Sequence, residues 1–234
     1  MGEAGRRGLV AAAGLGALVA AASLLAMPVV AQQLDAGQME LLSGGRRVSV
    51  ESFRVWRAGG VLNAVANLES SGAVGGSALQ VGLQLGADQR PSSYRLEEAG
   101  GSTRVQGQWT IDRAQLHITS PEGERWKELP SEGMSTVLER GVAHHYLVLV
   151  QMLRDSPGSR VIIIVPSLGE RTSARLAGEQ RDDVTIGDRT VVATRYDLEV
   201  GPGRQSVWLD AEGRLLRVSD PGGAIEALRM PSRD

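Results

Sequence analysis

His144 and His145 stand side by side, and His117 is the only other histidine in the chain. Histidine titrates near neutral pH and is the commonest metal ligand. Neighbours on a helix, however, point about 100° apart. A metal held by a helix instead wants an i, i+4 pair with further ligands. No cysteine is present to complete a set. The spacing therefore predicts one histidine against a sheet and the other at the surface, with no metal and no cofactor. Nucleophile signals are equally sparse. The chain has no G-x-S-x-G elbow and no S-x-x-K, the local frames that expose an activated serine. The acidic pairs Glu97-Glu98, Glu122/Glu124 and Asp182-Asp183 fall at expected turns or strand starts, where a solvated charge needs no further role. A glycosidase would need two carboxylates facing across a cleft, which spacing alone does not supply. No enzyme is predicted.

The four tryptophans carry more promise. Trp56, Trp109, Trp126 and Trp208 all lie in or beside expected strands. An indole ring can fill a core, or it can wall an apolar cavity while its N–H finds a partner. Both readings stand at this level. On the second, Trp56, Trp109 and Trp208, with Tyr146 and Leu149 from a helix, would contact an apolar or lipid-like ligand. Aromatics are otherwise scarce, with three Tyr and one Phe, so the core must rest on Val, Leu, Ile and Ala.

These residues must be positioned by strands. Arg47–Val55 and Leu62–Leu68 alternate apolar and polar residues on either side of Ala58-Gly59-Gly60, the pattern of a hairpin. Leu79–Leu85 alternates cleanly. Tyr94–Leu96, Thr103–Ile111, Gln115–Thr119 and Trp126–Leu129 continue the meander. Later come Thr172–Leu176, Asp183–Ile186, Arg189–Val200, Gln205–Asp210, Leu215–Ser219 and Ala224–Arg229. Such short strands between Gly and Pro turns predict an antiparallel sheet with one dry face. One stretch breaks the rhythm. Leu138, Val142, Tyr146, Leu149 and Leu153 recur at three-to-four spacing, which predicts an amphipathic helix over Ser135–Arg154, ended by Asp155-Ser156-Pro157-Gly158. Arg160–Pro166 follows as a continuous apolar run, a strand expected to be buried on both faces.

The N-terminus predicts the compartment. Arg6 and Arg7 precede an uncharged run from Gly8 to Ala31 that ends in Val29-Val30-Ala31. That is the build of a secretory signal over residues 1–31, leaving residues 32–234 as one β-rich domain in the periplasm or outside the cell. The formal net charge of −2 gives no basic excess for nucleic acid.

Three segments resemble a known group. Val207–Arg217 resembles the C-terminal hairpin of uncharacterised exported bacterial proteins with a β-rich, lipoprotein-carrier-like fold; Arg90–Tyr94 resembles their strand-opening P-x-x-Y segment; and Gly44–Val55 resembles their first hairpin. The resemblance implies a mainly β architecture: a highly curved antiparallel sheet, an open half-barrel, with one amphipathic helix against its concave face. In the carriers that hollow holds acyl chains. Two functions follow as expectations. One is a non-enzymatic envelope protein that buries an apolar or lipid-like ligand in the hollow. The other is a structural or interaction module that docks an envelope protein partner, its core filled by its own side chains.

Overall fold

The computed structural model describes residues 31–70, 78–220 and 225–231. The expected signal segment lies outside them, apart from Ala31. All fifteen strands join one sheet. β1 (Gln32–Ser43), β2 (Arg46–Ala58), β3 (Val61–Ser70), β4 (Ala78–Leu85), β5 (Pro91–Glu98), β6 (Arg104–Trp109), β7 (Arg113–Ser120) and β8 (Gly123–Pro130) form one meander. After β9 (Ser135–Val137) and helix α1 (His144–Asp155), a second meander runs through β10 (Val161–Val165), β11 (Glu170–Ile186), β12 (Arg189–Val200), β13 (Gly203–Leu209), β14 (Leu215–Ser219) and β15 (Ile225–Arg229). β15 pairs with β1, so the two meanders meet in the middle of the sheet and end at β8 and β9. The sheet is curved and open, and α1 lies on its concave side. Fold class and curvature match the sequence expectation.

Every strand pair is antiparallel except β9–β10. Parallel neighbours need a crossover rather than a hairpin, and α1 is that crossover. Its apolar faces enter the hollow: Leu147, Leu149 and Leu153 pack in one core with Leu83, Leu116, Ile163, Leu198 and Leu209, all fully buried. A smaller cluster of Val184, Ala193, Trp208 and Leu216 sits on the outer face of the second meander. The free edge β8 is solvent-exposed along nearly all its length and carries Glu124, Arg125, Lys127 and Glu128. Charges of this kind discourage edge-to-edge pairing with another chain.

Four expectations change. The helix begins at His144 rather than Ser135. Ser135–Val137 is a strand paired with β10, and the Leu138 N–H continues that pairing to the Ile164 carbonyl at 3.0 Å. Gly141 then adopts φ +73°, a left-handed conformation that a helix interior does not take. Leu138 and Val142 keep helical spacing only because a buried coil points them at the same core. Second, Thr172–Leu176 and Asp183–Ile186 are the two ends of one strand, β11. Its polar middle lacks alternation but pairs with β12 throughout, with a bulge between Leu176 and Gly178. Asp182 and Asp183 are therefore strand residues. Third, β1 precedes the expected first hairpin strand; Asp35 and Gly37 on its inner face hide its alternation. Fourth, His144 and His145 are both fully buried, so neither is at the surface.

Candidate functional site

Four buried polar residues, Glu51, Glu139, His144 and His145, meet at the start of α1. Strand alternation places Glu51 on the inner face of β2 with Phe53 and Val55, and Glu51 has no exposed surface. No side chain of the preceding loop caps the helix, whose N-cap is Ala143. The cap comes from 92 residues away instead: Glu51 accepts the Ala143 N–H at 2.6 Å and the His144 N–H at 3.1 Å. Free N–H groups and the positive end of the helix dipole make this position favourable for a carboxylate. The His144 ring closes the arrangement, its Nδ1 lying 2.5 Å from Glu51 Oε1.

Glu139 does the same for the chain just ahead of the helix. It accepts the Ser167 hydroxyl at 2.5 Å, the Ser167 N–H at 3.0 Å and the Arg140 N–H at 3.0 Å. The Tyr94 hydroxyl also reaches it, at 3.4 Å. Burial, reinforced by Glu139, pushes the Tyr94 hydroxyl well above its ordinary pKa, so it stays a proton donor. The Glu139 N–H donates to His145 Nδ1 at 3.0 Å, which puts the proton of neutral His145 on Nε2. That atom and His144 Nε2 are buried without a hydrogen-bond partner.

A line of rings extends the network. Tyr94 meets His145 edge-on, His145 meets His144 the same way, and His144 stacks on Phe53 with the planes 8° apart. The Arg229 guanidinium lies 6.0 Å from the Phe53 ring centroid and pairs with buried Asp35 at 3.0 Å. It also donates to the Ala36 and Leu215 carbonyls, each at 2.7 Å. A Cβ on Gly37 would sit 2.7 Å from that guanidinium, so any larger residue there would have to displace it.

This seam pins the helix. Both carboxylates are engaged by backbone amides, and among the described residues no group of three or more His, Asp or Glu could hold a metal ion. His145 makes the seam sensitive to acid. Burial first, and the adjacent His144 second, hold its pKa well below 6.5. The unfolded chain therefore takes up this proton before the folded one does, so the stabilising contribution is complete above the unfolded pKa and is lost as pH falls. Between about pH 6.5 and 5 the unfolding free energy should drop by up to about 1.4 kcal/mol per pH unit from this group. His145→Gln keeps an acceptor for the Glu139 N–H and should flatten that segment. Urea unfolding at a series of pH values checks this, and an unchanged slope in the variant would contradict it.

The five residues expected to contact a ligand are divided between two faces. Leu149 is fully buried in the hollow. Tyr146, on the same helix, packs against the core; burial, with Asp220 adding to it, pushes its hydroxyl up to about 12. Trp109 also packs against the core from β6, its Nε1 buried without a partner. Trp208 and Trp56 face outward. Trp208 donates to Asp182 at 2.8 Å and carries Arg217 over its ring. Trp56 lines an outer trough of about 520 Å³ across β2–β6. Inside, a crevice of about 10 Å³ remains where Leu62, Leu85, Val148 and Met152 meet the end of α1. Glu51, Asp35 and Arg229 were not singled out from sequence. A signal existed for Glu51, which shares strand parity with Phe53 and Val55. The contacts of Glu139 are set by the coil ahead of the helix rather than by a first helical turn.

No protein-family model matches the chain, and neither does any curated protein. Among solved structures, the chain is similar to a β-barrel-like protein of domain of unknown function DUF1849 from Brucella abortus. The two are 10% identical, the match covers 86% of this chain and 95% of that one, and the TM-score is 0.46.

Proposed function

We propose that this protein is a non-enzymatic module of the cell envelope that fills its own hollow and acts through its outer surface. One observation carries the reading: α1 occupies the concave side of the sheet with eight of its residues buried. An apolar guest needs a pocket of roughly 300 Å³ or more, whereas the crevice beside Met152, among the described residues, holds about 10 Å³. The Arg6-Arg7 and Gly8–Ala31 pattern supports export. The lipoprotein-carrier-like resemblance supports the same compartment.

The alternative, a lipid-binding protein, requires α1 to leave the hollow and give up the Glu51 cap. The two are separated by native mass spectrometry and lipid extraction of the protein purified from the envelope, together with melting curves in palmitate. The expected results are no co-purifying lipid and no rise in Tm. A stoichiometric lipid, or a palmitate-dependent rise, would overturn the self-filled reading in favour of the lipid-binding one.

A further inference from the structure

The outer face of β2–β6 carries a constellation that the interior does not use. Antiparallel register aligns Arg54, Val65, Gly82, Arg95 and Gln106 in one cross-strand row. The next row holds Trp56, Asn63, Gln84, Ser93 and Gln108. Gly82 gives the first row a dip at its centre, since nothing lies within 4 Å of where its Cβ would be. The resulting trough of about 520 Å³ continues past Val65 into a second depression of about 390 Å³. The two are open depressions that share Val65 and extend across neighbouring strands of the outer face.

The lining decides what kind of ligand. The Gln84 amide donates to Asn63 Oδ1 at 3.0 Å, and its carbonyl accepts from the Ser93 hydroxyl at 3.1 Å. Amides present donors and acceptors together, the complement of vicinal hydroxyl groups. An acyl chain would strip water from these groups and return no hydrogen bond. A polyanion would want a row of free cations, whereas these two rows carry only Arg95, paired with Glu97, and Arg54, which lies over one face of the Trp56 ring at 5.2 Å. The indole is an apolar platform with a polar edge, which suits the C–H face of a sugar ring. The Gly82 row ends on β8 at Trp126, which is 73% exposed and stacked on His117 at 4.2 Å. A longer chain would find a second platform there.

We propose that this trough binds a neutral oligosaccharide. The proposal rests on the reading of an outward-acting module and names its ligand class. The test is an NMR titration of the full protein with millimolar chitohexaose and, separately, cellohexaose. At least one sugar should shift outer-face amides of β2–β6. Trp56→Ala and Gly82→Leu should each weaken binding about tenfold or more with Tm unchanged. Position 82 has open space and an ordinary backbone conformation, so leucine fills the trough without disturbing the fold. No shift with either sugar, shifts confined to residues facing α1, or unweakened binding by both variants would overturn the glycan assignment. A palmitate-dependent rise in Tm would instead overturn the module reading, so the two failures are distinguishable.

Discussion

Glu51→Ala should lose about 3–5 kcal/mol of unfolding free energy, the cost typical of removing one partner from a buried charged network. The carboxylate has no exposed surface and is the acceptor for the first amides of α1. Alanine would leave the Ala143 N–H, the His144 N–H and the His144 ring without an acceptor where water does not reach. Each orphaned buried group costs about 1–3 kcal/mol. Glu51→Gln retains one carbonyl oxygen and should lose distinctly less. Urea unfolding followed by circular dichroism measures the difference, and hydrogen exchange should show lost protection in α1 before the outer strands. A loss below about 1 kcal/mol for alanine would mean that the cap is not what holds the helix in the hollow.

Leu149→Ala should destabilise by about 2–5 kcal/mol, because a fully buried leucine in a close-packed core leaves both lost contacts and a cavity. For a domain of this size that lowers Tm by very roughly 4–20 °C. The cavity would be lined by apolar groups, so it should stay dry and take up xenon or benzene, recovering part of the loss. This also probes the hollow itself. A self-filled core must pay the full cavity penalty. A hollow that normally opens for an acyl chain would tolerate the truncation with a loss near zero, which differential scanning calorimetry would reveal.

Local pattern carried the strands and the broad architecture. Period-two alternation in Arg47–Val55, Leu79–Leu85 and Arg189–Val200 is a backbone property, since successive side chains point to opposite faces wherever the strand pairs. It failed where polarity and burial diverge. β11 reads as two strands because its middle is polar on both faces, and β1 goes unseen because Asp35 and Gly37 occupy inner positions reserved for Arg229. The helix was found but started nine residues early, since Leu138 and Val142 imitate helical spacing from within a coil.

The histidine pair shows where the limit lies. Adjacent positions state that two helical histidines leave the backbone in different directions, yet their rings meet edge-on with centroids 4.6 Å apart. Nor do adjacent positions state that both directions are interior, because that follows from a sheet curling around the helix on nearly every side. Composition, alternation and turn residues by themselves determined a mainly β chain with a lone helical segment, because these act over a few neighbouring residues. Only the tertiary structure decided that Glu51 caps a helix 92 residues away, that α1 packs with eight residues buried, and that Trp56 lies beside Asn63 and Gln84 on the outer face. Those outcomes depend on cross-strand register and sheet curvature, which bring together residues that no local pattern connects.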